Sequence, residues 1–204
     1  PDTRMNEFAE IARSDSTIRI DDAAAMQVRL APIATDIGGA LGPAGIKALL
    51  EGLMRFGWSG VYEGETIIGL ERGKANVSLE PGGQFELSGA PVDSIHETSV
   101  EIADHLRETR AVAGPMNIDF LGLGFSPVWS MDETPMMPKG RYAIMKAYMD
   151  RVGRLGRQMM FRSCTVQTNL DFGSEVDMVK KMRVSLALQP IATALFANSP
   201  FAEG

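Results

Sequence analysis

A helical-period run followed at once by closely spaced glycine turns is what most constrains this chain. Ile46, Leu49, Leu50, Leu53, Met54 and Phe56 recur at helical spacing, with Pro43 near the first turn and Gly57 after the last. Short strands are predicted at 61–62 and 66–70, joined by a turn at Gly64. Arg72-Gly73-Lys74 then turns the chain into a third strand, predicted over 75–87. A helix leading into strands joined by tight turns implies an antiparallel meander.

The rest of the chain continues in this mixed manner. Ser94 and Glu97 have the spacing of a capping box, followed by an apolar stripe of Ile95, Ile102, Leu106 and Val112. A strand is predicted at 118–123, a loop rich in Pro and Met at 125–138, and a helix opening near Lys139. A strand over 160–172 leads to a helix capped by Ser174, and 186–198 reads as helical despite Pro190. Residues 1–41 form a separate N-terminal segment in this reading, with a short helix at Ala23-Ala24-Ala25-Met26 and a break at Gly38-Gly39. The class expected is α+β, an antiparallel sheet with helices.

Bulk properties exclude several functions. A net charge of -6 and a pI near 5.0 argue against a nucleic-acid binder, which needs a basic face to displace phosphate counterions. Cys164 is the only cysteine, so no internal disulfide can form and a reducing compartment is expected. No apolar run approaches the roughly 18 residues of a membrane span. The opening Pro-Asp-Thr-Arg-Met-Asn lacks the basic head and apolar stretch of a secretory signal. A cytoplasmic location is therefore expected, or a plastid one for a plant-like source. The missing initiator Met fits a piece of a longer chain.

Two stretches carry candidate chemistry. If 79–91 is extended, Glu80, Gln84 and Glu86 share one face with Gly82, while Pro81, Phe85 and Leu87 share the other. Two carboxylates and an amide make an oxygen-rich wall suited to Mg²⁺, and Gly82 would leave room for a bulky bound group. In the later strand Thr165, Gln167, Asn169 and Asp171 fall on one face, opposite Cys164, Val166, Thr168, Leu170 and Phe172. Neutral amides there could meet a metal or an amino-acid substrate without adding charge. The alternative in both cases is a solvated strand face. His96 and His105, nine apart on a helix, lack zinc-pair spacing and are expected at the surface. No Walker pattern occurs, so Lys139-Gly140-Arg141 is not read as a phosphate loop. Cys164 is expected to pack on an apolar face rather than act as a nucleophile.

Five stretches occurring in order resemble the plant and proteobacterial type of glutamate–cysteine ligase. They lie at 48–53, 79–91, 137–142 (Met-Pro-Lys-Gly-Arg-Tyr), 162–172 and 187–201. The resemblance implies that 42–204 is part of a glutamine-synthetase-like catalytic domain whose concave sheet face holds ATP, Mg²⁺ and glutamate. It implies an ATP-dependent ligase joining the glutamate γ-carboxylate to cysteine, the first step of glutathione synthesis. Its partners would be these small molecules, with neither nucleic acid nor membrane. Glu80 and Glu86 then become catalytic, metal-facing carboxylates. Gln84, Gln167 and Asn169 become substrate- or ATP-binding cleft residues, and Arg141 a clamp for a substrate carboxylate, with Tyr142 beside it.

Two departures from the family temper this expectation. The family's Gly-Thr-Glu-His-Glu-Lys-type strand, which supplies further metal-binding carboxylates, has no match in 1–41. The family also continues beyond the last residue here, into a region with a substrate-binding Arg. The chain alone is accordingly expected to be incomplete, unstable and inactive. A non-catalytic copy of the fold and a ligase using a different amine are the alternatives.

Overall fold

The computed structural model describes residues 19–34, 39–40 and 43–202, with only the backbone described for 19–34, 39–40, 43 and 121. Helix α1 (Pro43–Leu53) ends in a short 3-10 turn that Gly57 closes. The meander follows as β3 (Ser59–Glu63), β4 (Thr66–Arg72), β5 (Ala75–Leu79) and β6 (Phe85–Ser88), each pair antiparallel. Gly64 and Gly73 sit at φ 62°, a left-handed conformation that glycine adopts without a Cβ penalty.

The predicted strand over 75–87 is corrected to two strands. Pro81-Gly82-Gly83 turns the chain between β5 and β6, with the Gly83 N–H donating to the Glu80 carbonyl at 2.9 Å and Gly83 at φ 85°.

Backbone 19–34 also differs from expectation. Arg19–Ala34 is one long strand, β1, so the helix predicted over Ala23-Ala24-Ala25-Met26 is a strand instead. Its length lets it pair with several partners in turn, and those ladder bonds outweigh the helix propensity of a short alanine run. Gly39–Ala40 forms β2 on β1, whereas Gly38, in the expected break, lies outside the described residues. β7 (Val92–Ser94) and β8 (Ile118–Leu121) pair with other parts of β1.

Helix α2 (Ile95–Ala113) is capped by Ser94, whose side chain accepts the Glu97 N–H at 3.3 Å. The reciprocal half of the capping box is altered, because the Glu97 carboxylate accepts from the Ser94 hydroxyl at 2.9 Å. The inward stripe of α2 keeps Val112 and, at its edge, Ile102 of the predicted set, but is otherwise polar. Thr98, His105, Glu108, Thr109 and Val112 are buried, whereas Ile95 is exposed. Glu108 can take the inner face because Trp58 and Arg72 give it partners there, and His105 is accommodated by ring packing. The Trp58 indole N–H donates to Glu108 at 2.9 Å, Arg72 pairs with Glu108 at 2.9 Å, and His105 stacks on Phe85 at 5.7 Å. His105 is thus corrected from a surface residue to a core one. His96 is half-buried, and Cys164 is buried as expected.

Helix α3 (Gly140–Val152) follows the Pro- and Met-containing loop, and α4 (Gly156–Arg162) comes next. The strand predicted over 160–172 is thereby corrected to the end of α4 followed by the shorter β9 (Val166–Asn169). Helix α5 (Glu175–Leu195) is capped by Ser174 and contains Pro190, in line with the sequence. The core lies between α1, α2 and one sheet face: Ile46, Leu49, Leu50 and Leu53 meet Leu70, Val77, Leu79, Phe85 and Leu87. The side chains on the other face of the same strands lie outside this core.

Candidate functional site

Strand register decides which side chains share the open face. Val77, Leu79, Phe85 and Leu87 are all buried in the core, so their neighbours Ser78, Glu86 and Ser88 project the other way. Ser78 is paired with Glu86. At the turn Glu80 and Gln84 extend this ladder, the Glu80 N–H donating to the Gln84 carbonyl at 2.9 Å. Glu80, Gln84 and Glu86 therefore keep the common face expected of them, although the segment is a hairpin rather than one strand.

The second set joins them across β1. Gln27 pairs with Ser88 on one side and with Gln167 on the other, while Ala25 pairs with Asn169. Residues on one rung share a face, so Gln167 and Asn169 stand on the same face as Glu86 and Ser88. Two strand spacings separate them laterally, about 10 Å. Arg29 of β1 pairs with Glu86 and so holds a central register position. Gln167 and Asn169 are exposed; Glu86 is buried and Glu80 half-buried. The Ser88 hydroxyl donates to Glu86 at 3.0 Å, part of what makes a buried carboxylate tolerable.

The start of α3 brings positive charge to the same end of the sheet. Lys139 Nζ donates to the Leu79 carbonyl at 3.0 Å, and the Tyr142 hydroxyl donates to that same oxygen. These two bonds tie α3 to the residue before Glu80. The Arg141 guanidinium lies 5.1 Å from the Tyr142 ring centre, with its side chain toward solvent. Burial, then Arg141, lowers the Lys139 pKa, while Glu80, Glu86 and Glu63 pull it back up. The Tyr142 hydrogen bond raises that of Arg141, with Glu80 and Glu86 adding to the rise. Burial raises that of Tyr142. Two carboxylates and two cations thus feel one another at the mouth of the hairpin. Lys139 was set aside in the sequence for want of a Walker pattern; the signal that could have kept it is its position at the helix start, two residues before Arg141 in the 137–142 stretch.

Three sequence expectations need correction. Tyr142 is not an open cleft residue: it is buried, and its hydroxyl is engaged by Leu79. Gln84 is also buried, and its amide bonds to backbone groups of Gly82, Met160 and Ser163. Gly82 leaves no room for a bound group, since a Cβ there would lie 1.9 Å from the Phe161 carbonyl oxygen. Glycine is required at this position by close backbone approach.

As a metal site the face offers a limited donor set. Among the described residues no group of three or more His, Cys, Asp or Glu side chains is placed to hold a metal ion. Glu80 and Glu86 remain as hard oxygen donors, with amide oxygens of Gln167 and Asn169 farther across. This fits Mg²⁺ in its usual protein form, held by one or two carboxylates and completed by water and phosphate oxygens. It does not fit a closed all-protein cage.

An antiparallel sheet with helices packed against one face, and carboxylates and amides projecting from the other, defines an α+β class of protein. Comparison with known families gives this class its particular identity. Residues 42–204 match the model described as glutamate-cysteine ligase family 2 (GCS2), and the chain belongs to that family. It is 62% identical over 160 residues to the chloroplastic glutamate–cysteine ligase of Medicago truncatula, covering 78% of this chain and 32% of that protein. The chloroplastic glutamate–cysteine ligases of Nicotiana tabacum and Arabidopsis thaliana are each 61% identical over 160 residues, covering 78% of this chain and 31% of the relative. The chain spans about a third of the length of these curated relatives.

Proposed function

We propose that this chain supplies part of the catalytic domain of an ATP-dependent ligase that joins the γ-carboxylate of L-glutamate to the amine of L-cysteine. The observation that carries this is the shared face of Glu80 and Glu86 with Gln167 and Asn169, in a member of a family named for that reaction.

In this scheme a glutamate γ-carboxylate oxygen attacks the γ-phosphorus of ATP, and the bond to the β-phosphate oxygen breaks to release ADP. The cysteine amine then attacks the acyl carbon. Phosphate departs with the electron pair of the C–O bond, and the amine loses a proton. Little covalent work falls to the protein, so placement of charge supplies most of the rate. Mg²⁺, when bound, neutralises charge on the transferring phosphoryl group. Glu80 and Glu86 would hold it. Arg141 presents a planar fork to a substrate carboxylate, which a point charge matches less well. Lys139 adds positive charge beside it. Gln167 and Asn169 orient the amino-acid substrate through neutral hydrogen bonds, which cost less to desolvate than charges do.

Localisation follows the relatives in this proposal: all those compared above are named chloroplastic, which favours the plastid. No helix among the described residues is long and apolar enough to cross a membrane.

The test is product analysis on the chain expressed in its full reading frame. ATP, glutamate and cysteine should together give γ-glutamylcysteine, ADP and phosphate in equal amounts. Preferential product formation with another amine, or no nucleotide turnover with any amine, would contradict the assignment.

A further inference from the structure

Gln84 uses both ends of its amide on backbone groups. Its Oε1 accepts the Gly82 N–H at 2.9 Å; its Nε2 donates to the carbonyls of Met160 at 3.2 Å and Ser163 at 2.9 Å. Met160 lies near the end of α4 and Ser163 caps it. Carbonyls in the last turn of a helix have no partner within that helix, so an outside donor is needed. Three residues beyond Ser163 the chain enters β9, which carries Gln167 and Asn169. One side chain thus fastens the turn between Glu80 and Glu86 to the segment that delivers the two amides. The Gly82 backbone rests against the Phe161 carbonyl at the same junction, and the Met137 N–H donates to the Pro81 carbonyl at 2.9 Å.

We infer that Gln84 is a positioning residue that fixes the spacing of Glu80 and Glu86 relative to Gln167 and Asn169, and that it touches no substrate. The catalytic consequence rests on the ligase function proposed above; the interlock itself does not. Only a neutral amide serves here. A carboxylate could accept from Gly82 but not donate to two carbonyls, and an ammonium could do only the reverse.

The test uses Gln84→Met and Gly82→Ala in the full reading frame. Gln84→Met keeps the length of the side chain without its hydrogen bonds. Gly82→Ala forces the same junction apart without altering any side chain on the open face. Amide exchange, read first, is independent of ligase activity: both variants should raise exchange together over 80–86 and 160–166, leaving α1 protected. In steady state both should lower kcat by about 10- to 100-fold, the scale set by misplacing catalytic groups by around an ångström. The KM of each substrate should stay within about threefold, since no substrate contact is removed. The double variant should be no worse than the poorer single one, because both break one junction. Unchanged exchange in both segments would overturn the interlock. Loss of the whole fold in Gln84→Met, wild-type kcat in a folded variant, or a selective rise in one substrate's KM would overturn the positioning role. If the unmodified protein ligates nothing, the ligase proposal fails on that result, and exchange alone still decides whether the interlock exists.

Discussion

Glu86 on β6 and Gln167 on β9 stand on one face of the sheet with only β1 between them. In the ligase proposed above each polar group on that face has a distinct task, and the tasks should separate under mutation.

Arg141 is expected to act through the shape of its guanidinium as well as through its charge. Arg141→Lys should raise the KM for glutamate about tenfold with a smaller effect on kcat, because a bidentate pair is replaced by a point charge. Steady-state kinetics with each substrate varied in turn checks this. An effect confined to ATP would place the guanidinium on the nucleotide instead.

Behind the sheet, Glu108 joins Trp58 to Arg72. It accepts from the Trp58 indole and pairs with Arg72, whose guanidinium also lies 4.1 Å from the Trp58 ring centre. Glu108→Ala should lower stability by about 2–4 kcal/mol, since the change removes one partner of a largely buried pair. Glu108→Gln should cost less, because an acceptor for Trp58 remains. Chemical denaturation of the two variants gives the comparison.

His105 makes this same region sensitive to acid. Burial, its largest cause, lowers the His105 pKa from 6.5 to about 4, with Glu108 pulling upward and Arg72 downward. Below pH 6.5 the unfolded chain takes up a proton that the folded chain refuses, so stability falls as pH drops from 6.5 toward 4. The loss should reach roughly 2–4 kcal/mol at the acid end. Denaturation midpoints at pH 7.5 and pH 4.5 measure it, and His105→Leu should flatten the difference between them.

Much of this architecture was legible from the sequence, for identifiable reasons. Gly57, Gly64 and Gly73 mark turns that the hydrophobic periods on either side already require, and Ser174 caps α5 as its spacing suggests. The shared face of Glu80, Gln84 and Glu86 was legible because alternation along a strand survives even when the strand is cut by a turn, whereas the register that aligns Gln167 and Asn169 with them runs through β1 and leaves no local pattern. What was not legible depends on distant partners. The run ending in Met160 and Phe161 is short and apolar, and such a run suits either a strand or a buried helix end. Its helical state is fixed partly by Gln84, far away in sequence. His105 looks like a surface residue until Phe85 is stacked on it. The space imagined above Gly82 is filled by Phe161, which no local pattern reveals. Val176 and Leu195 on α5, and Phe196 just after it, are exposed, and the helix has no buried residue. Exposed apolar surface of that kind promotes association, so the chain alone should self-associate during size-exclusion chromatography.

In the proposed ligase, magnesium-dependent phosphoryl transfer takes place on the face bearing Glu80 and Glu86. The most direct measurement is the rate of γ-glutamylcysteine formation by Glu86→Gln, in the full reading frame, across a magnesium titration. The expected result is a folded protein whose kcat falls by about 100-fold or more and whose magnesium requirement rises, as removal of an electrostatic contributor to the transition state should produce. A folded Glu86→Gln protein with unaltered kcat and an unaltered magnesium requirement would contradict it.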